Sequence, residues 1–474
     1  LVTGQPHYFV WQNSPSSFRG VPLVDYYGNR IVGNQVDSVH TFLAVNGATN
    51  AQAQAGRYEV RNNVVSGLGD AFISESETVD GPNLVCGNIV GDAPIDEPCY
   101  EMIPAPMPDA AAFPLGVVED GNMVSASTFG PMIDDLRAHH LDAVFFVNTW
   151  ASRANLLDIS DAQEFDVYYC LGELGEQWFG REVTENLDTA RAIIYPQVDA
   201  VKGHPSLKGY NILDEPTSSQ KDKVALAVQA YRERDPERLL MSALIGIERA
   251  RSVFAAAQPD VMLLDIYPFH YSNPPCDTVM HAFGYPDEDL VDYIRAIAQD
   301  RPAGTPLWVI LQTHSFQDES GTWHLRAPAA PEIREEHWLA IGEGATGIFW
   351  FLYSSEQGWI GLKDNPALFA QVGSLARRIG PLRGLLMTLH KTDDEYSVMG
   401  SVGAAYISTL TNAEGSESYV VVVNRACVPQ HLTVASLSGP RRLRDVETGE
   451  IYTTGSALLL AGGDGRILQV SPGE

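Results

Sequence analysis

LKGYNILDEPTSSQKDKVALAVQAYRERD, residues 207–235, reads as one complete unit: an apolar run, a pair of carboxylates and a helix. The run closes on Asp214-Glu215-Pro216, and Thr217, Ser218 and Ser219 offer helix caps. Apolar residues then recur at helical spacing. The same unit recurs outward on both sides. Strands are predicted at 113–118 (FPLGVV), 143–148 (AVFFVN), 166–170 (DVYYC), 239–244 (LLMSAL), 261–269 (VMLLDIYPF), 307–314 (LWVILQTH) and 346–353 (TGIFWFLY), each followed by a helical pattern. With 207–215 they make eight. Strands apolar on both faces and alternating with helices predict a closed parallel (β/α)8 TIM barrel over residues 113–385. No GxGxxG follows the first strand, which argues against an open dinucleotide-binding sheet.

The flanks differ in texture. Residues 1–112 carry short strands (FVWQN, TFLAVNG, RYEVRNNVV, AFISESE) and end in a proline-rich linker, IPAPMPDAAAFP, that runs into the barrel. They predict a β-rich domain without a long internal repeat. After residue 386 the helices stop, and strands joined by short turns predict a β-sandwich over 386–474.

Composition narrows the partners. The chain has 474 residues, with 31 Lys+Arg against 60 Asp+Glu and a net charge of −29. Nucleic acid and anionic membrane both need basic surface, so neither is expected as a partner. A hydrophobic fraction of 45% fits a folded chain, and the apolar stretches fall short of the ~18 residues a membrane span requires. Cys86, Cys99, Cys170, Cys276 and Cys427 include no CxxC pair. Cys86 and Cys99 bracket the loop CGNIVGDAPIDEPC and predict a disulfide clip; Cys170 ends an apolar run and predicts a buried small hydrophobe. With a first residue, Leu1, that is not Met, the clip leads us to expect a secreted or periplasmic protein.

In such a barrel the working residues sit at the C-terminal ends of the strands. Those ends carry Glu119 and Asp120, Asn148 and Trp150, Glu173, Asp214 and Glu215, Asp265 and Tyr267, Gln312 and His314, and Trp350 and Tyr353. Glu215 is the expected general acid, with Asp214 and Asp265 as assisting carboxylates, because clustered carboxylates hold one another's protons. Pro216 is expected to keep Glu215 extended. Glu119, Asn148, Trp150, Tyr267, Gln312, His314, Trp350 and Tyr353 are the expected substrate contacts. Trp178, Trp323 and Trp359 also fall in or beside predicted rim loops, where flat apolar faces suit sugar rings; Trp308 and Trp338 are expected in the core. Cations are scarce along the rim, which disfavours phosphorylated substrates. Neither HExxH nor a GxSxG elbow occurs, so no metal and no cofactor is expected.

The set HPSLKGYNILDEP, LLDIYPF, PLWVILQTH and GATGIFWFLYSS resembles the catalytic barrel of the (β/α)8 glycoside hydrolases. YVVVVNR, LRDVETGEIY and the final ILQV look like the all-β domain that often follows it. The resemblance implies a glycosidase acting on a carbohydrate, with Glu215 at the fourth-strand acid/base position. One departure stands out. Retaining members place a nucleophilic Glu at the end of the seventh strand, where this chain has Gln312, with Glu319 a few residues on. Three readings follow. In an inverting enzyme Glu215 pairs with Asp265, Glu119 or Glu173 as base across ~6.5–9.5 Å. In a substrate-assisted enzyme Asp214 orients an acetamido group while Glu215 protonates the leaving oxygen. In the third, the barrel binds glycans without cleaving them. A polysaccharide lyase would want cations to neutralise a uronate, and the rim lacks them.

Overall fold

The computed structural model describes residues 113–148, 155–172, 174–180, 184–276, 289–356, 358–392, 395–401, 404–436 and 438–472, and short strands between Tyr8 and Pro94. Two compact units divide the chain, Leu1–Ile103 and Pro104–Glu474.

In the first unit the strands pair in parallel, except that Ala93–Pro94 lies antiparallel on Ile89–Val90. Tyr8–Asn13, Val39–Asn46 and Leu68–Glu75 form one sheet. Arg30–Val32, Glu59–Arg61 and Leu84–Cys86 form a second, and Gln35–Val36, Val64–Val65 and Ile89–Val90 contribute to a third. The chain visits the three sheets in turn and then returns, which is the winding of a parallel solenoid. A repeat is therefore present where none was expected. Its trace in the sequence is Val32-Gly33-Asn34-Gln35-Val36, Arg61-Asn62-Asn63-Val64-Val65 and Cys86-Gly87-Asn88-Ile89-Val90. Strands of two or three residues are too short to show a hydrophobic period, which is why the repeat is faint.

The second unit holds the barrel. Its strands are β1 (Leu115–Asp120), β2 (Ala143–Val147), β3 (Asp166–Cys170), β4 (Leu207–Asn211), β5 (Leu239–Met241, resuming at Ala243–Leu244), β6 (Met262–Ile266), β7 (Leu307–Gln312) and β8 (Gly347–Phe351). Their helices are α1 (Ala126–Ala138), α2 (Asn155–Gln163), α3 (Leu187–Val201), α4 (Lys221–Arg234), α5 (Ile247–Ala257), α6 (Leu290–Ala298), α7 (Ala330–Gly342) and α8 (Pro366–Ile379). Neighbouring strands pair in parallel from β1 through β4 to the first half of β5, and from β1 through β8, β7 and β6 to its second half. The sheet closes at the interruption in β5. Local sequence fixes the helix starts: Asn186, Asp289 and Asn365 each accept a backbone N–H of the first turn from their N-cap positions.

Inside the barrel Val118, Phe145, Tyr168, Met241, Leu263, Trp308, Ile310 and Phe349 form one apolar cluster. Gly347 makes room for the Trp308 indole, since a Cβ there would lie 2.6 Å from it. The alternate residues, among them Phe146, Tyr169, Leu264, Val309 and Trp350, face the helices in a second, larger cluster. That parity decides which strand-end residues reach the mouth.

Two antiparallel sheets follow. The larger orders Leu389–Thr392, Ala405–Asn412, Ser418–Asn424, Gly465–Pro472, Arg441–Asp445 and Ile451–Thr453; the smaller joins Tyr396–Gly400, Gln430–Ser436 and Ala457–Leu460. Val420, Val422, Leu443 and Leu468 of the first share a core with Leu432, Val434, Leu458 and Leu460 of the second. This layer is bound firmly to the barrel. Arg378 of α8 pairs with Glu447 and Asp464, and Trp338 of α7 donates its indole N–H to Asp464 at 3.2 Å. Arg425 joins Glu335 of α7 and the α6 cap Asp289. A disulfide, Cys276–Cys427, links the segment after β6 to the sheet domain. The expected Cys86–Cys99 clip lies outside the described residues, and Cys170 is buried as expected.

Candidate active site

Alternation along β1 turns Asp120 toward the mouth and Glu119 the other way. Glu119 is fully buried and accepts the Ser354 backbone N–H at 3.0 Å. Burial pushes its carboxyl up to about 8, against the hydrogen bonds from Ser354. It braces the loop after β8 and faces no open space for substrate.

β4 delivers the carboxylate pair. Glu215 does not lie extended before Pro216, as expected, but takes a left-handed backbone with φ of +41°. Such a conformation persists only where the surroundings impose it. Here they do. Arg249, in the first turn of α5, donates Nε–H to the Pro216 carbonyl at 2.7 Å, and Thr217 is tied to Gln220 in a capping box. The turn is clamped from behind, and its carboxylates face forward.

Opposite them stands Asp265 at the end of β6, 4% exposed. Its carboxyl lies within interaction range of the Glu215 and Tyr267 side chains. Burial, and then the charges of Glu215 and Asp214, hold the Asp265 carboxyl well above the ordinary carboxylate range. Asp214, half-buried, is raised to about 7 by burial and by the charges of Glu215 and Asp120, while Arg249 works against the rise. Asn148, exposed and itself left-handed, reaches Asp120 at 3.5 Å. The structure thus brings together Asp214, Glu215, Asp265 and Tyr267, with Asp120 and Asn148 beside them.

Other predicted contacts stand elsewhere. Gln312 is fully buried as a latch: its Oε1 accepts from Phe269 N, and its Nε2 serves the carbonyls of Phe269, His314 and Arg326. Trp350 is fully buried on the helix side, stacked at 6.0 Å on His337. Tyr353 donates to Asp135 of α1 at 2.9 Å and is 6% exposed. His314 packs edge-on against Tyr267 at 4.8 Å, and its Nδ1 bonds the Phe351 carbonyl. Burial lowers its imidazole to about 4 and keeps it neutral. Trp178 is also fully buried, with its N–H on the Lys223 carbonyl, rather than on the rim. Trp308 and Trp338 are core, as expected. Trp150 and Glu173 lie outside the described residues, and Glu319 is exposed in a hairpin turn.

Sequence reasoning missed Arg249 and the small sheet beside the mouth. Arg249 begins the helix after β5, and its only signal was a cation in the first turn, with Arg251 two residues on. Ser315–Gln317, Trp323–Leu325 and Trp359–Ile360 form that sheet from the segments after β7 and β8. Among the described residues no group of His, Cys, Asp and Glu is arranged to hold a metal ion.

The architecture has known counterparts. A structure described as a glycoside hydrolase aligns with a TM-score of 0.52 at 10% identity, covering 75% of this chain and 92% of that one. A glycoside hydrolase family 5 protein from Bacteroides vulgatus aligns with a TM-score of 0.51 at 12% identity, covering 75% and 89%. The fold is a (β/α)8 barrel with an appended β domain. No family profile matches the sequence, and no curated protein does. At these identities the likeness concerns the fold, and the chemistry rests on the residues themselves.

Proposed function

We propose that the protein is a glycoside hydrolase in which Glu215 protonates the leaving glycosidic oxygen. The observation that carries this is the clustering of Glu215, Asp265 and Asp214 at the C-terminal mouth of the barrel. Three carboxyls crowded in low dielectric cannot all ionise, so one stays available as an acid near neutrality.

The second half of the reaction needs an oxygen nucleophile at the anomeric carbon. The Glu215 and Asp265 side chains lie within interaction range of one another, closer than the ~6.5–9.5 Å that an inverting pair keeps open for water. Gln312 is committed to three backbone carbonyls at the seventh-strand position. Both observations favour substrate assistance, in which the acetamido oxygen of an N-acetylated sugar closes on the anomeric carbon. Ionised Asp214 then orients the acetamido N–H. Glu215, having given up its proton, takes one from the water that opens the ring intermediate. Tyr267 and Asp265 hold Glu215 in line. We further propose that the protein works outside the cytoplasm, which the Cys276–Cys427 bridge supports.

The test is product release from neutral polysaccharides and aryl glycosides, N-acetylated ones included, by wild type and Glu215→Gln. Turnover should fall at least ~10²-fold in the variant while substrate binding persists. Equal turnover in both proteins removes Glu215 from the mechanism. If neither releases product but both bind a glycan equally, the barrel is a binding scaffold.

A further inference from the structure

Beside the acid pair lies an aromatic surface that the chemistry above does not use. Gly358 and Gln317 hold its strands together: Gln317 N–H donates to the Gly358 carbonyl at 2.9 Å. A Cβ on Gly358 would fall 1.9 Å from the Gln317 carbonyl oxygen, so the close approach requires glycine there. The resulting pocket has a volume of about 350 Å³ and is lined by Gln317, Trp323, Ser355, Glu356, Trp359 and Ile360 among others. That is the lower end of the range for small-ligand sites, roughly 300–1,000 Å³.

Its indoles are braced. Trp359 stacks on Phe316 at 4.3 Å, and Trp323 stacks on Tyr271 at 6.1 Å. Both indoles remain partly exposed, so each presents apolar area without costing further ordering. Glu356 and Gln317 supply hydrogen-bonding groups at the edge. A wall of flat rings with carboxylate and amide edges matches the apolar face and hydroxyl rim of a pyranose.

The pocket is tied to the acid pair by a chain of ring contacts. Tyr267, beside Asp265, meets His314 at 4.8 Å, and His314 meets Trp359 at 4.8 Å. The charge of Asp120 acts on both Asp214 and Glu356, so the two places share one electrostatic field. That field is negative, and it repels uronates and sulfated sugars.

We infer that this small sheet is a glycan subsite, binding by Trp323 and Trp359 a sugar unit next to the one cleaved, so that the substrate is an uncharged oligo- or polysaccharide chain. The adjacency rests on the hydrolase reading; the binding does not.

The experiment is native-gel migration in the presence of soluble glycol chitin, glucomannan, xylan, laminarin or polygalacturonate. It compares Glu215→Gln with the same protein carrying Trp323→Ala or Trp359→Ala, using Met399→Ala on the sheet domain as control. Thermal melts confirm folding, and if Trp359→Ala does not fold then Trp323→Ala alone decides. At least one uncharged polymer should retard Glu215→Gln and Met399→Ala, with retardation constants at least tenfold weaker for the tryptophan variants. Equal retardation of all variants, retardation by polygalacturonate alone, or no retardation by any polymer overturns the subsite. If retardation depends on both tryptophans and yet wild type releases no product, the hydrolase reading falls and the subsite stands.

Discussion

Arg249 and Pro216 are joined by a hydrogen bond of 2.7 Å from guanidinium Nε–H to carbonyl, and that bond ties the first turn of α5 to the turn that carries Glu215. The same guanidinium lowers the Asp214 carboxyl against the rise that burial imposes. One side chain therefore acts on both the position of the acid and the charge of its neighbour.

Removing it should separate these effects from mere packing. Arg249→Gln is expected to reduce kcat about 10–100-fold with little change in KM, because the acid is misplaced rather than the substrate lost. Asp214 loses its offsetting cation, so the acid limb of the pH–rate profile should move above the wild-type value. A uniform loss of activity with an unshifted limb would make Arg249 a structural residue only.

Glu119 makes stability depend on pH. Its carboxyl is raised from 4.5 to about 8 in the folded protein, so the native state holds a proton that the unfolded chain releases between those values. Stability from this group is full below about 4.5 and is lost as pH rises toward 8. Glu119→Gln keeps an acceptor for Ser354 and should be more stable than wild type at pH 8 by a few kcal/mol, with the difference vanishing near pH 4. Denaturant melts across that range measure it, and a pH-independent difference would count against the burial of an ionisable group here.

Gln312 has a role that a carboxylate cannot fill. In Gln312→Glu the Nε2 donor facing three carbonyls becomes an oxygen, at a cost of roughly 3 kcal/mol or more. The variant should melt well below wild type and gain no activity as a nucleophile. Wild-type stability with new activity would show that the latch is dispensable.

Cys276 and Cys427 are 151 residues apart in sequence. Closing so long a loop restricts the unfolded chain strongly, and Cys427→Ser should cost about 2–5 kcal/mol in urea unfolding under oxidising conditions. Under reductant the difference from wild type should disappear. Equal stability in oxidant would mean that the thiols are not joined in solution.

Much of this architecture was legible in the sequence. Eight apolar runs alternating with helices sufficed for the barrel, and Asp214-Glu215 and Asp265 stood at strand ends as their positions required. What could not be read was facing. A strand buried on both sides has no polar face to mark its interior, so Trp350 and Glu119 looked like rim residues although Trp350 faces the helices and Glu119 is buried under the loop after β8. The pairing of Cys276 with Cys427 depends on how the sheet domain docks, which no local pattern encodes. The solenoid coils of the first unit hid because two of its three sheets are built from strands of two or three residues, too short to show alternation.

The seat of Trp338 has a consequence for how the chain is made. Its indole, on α7, is covered by Asp464 and by Gly465, whose place would not admit a Cβ because it lies against the ring. Donor and acceptor are 126 residues apart. During synthesis at roughly 5–20 residues per second, α7 emerges several seconds before the strand that shields it. Through that interval the Trp338 indole of a nascent barrel stays uncovered, which marks α7 as the place where a chaperone would be needed.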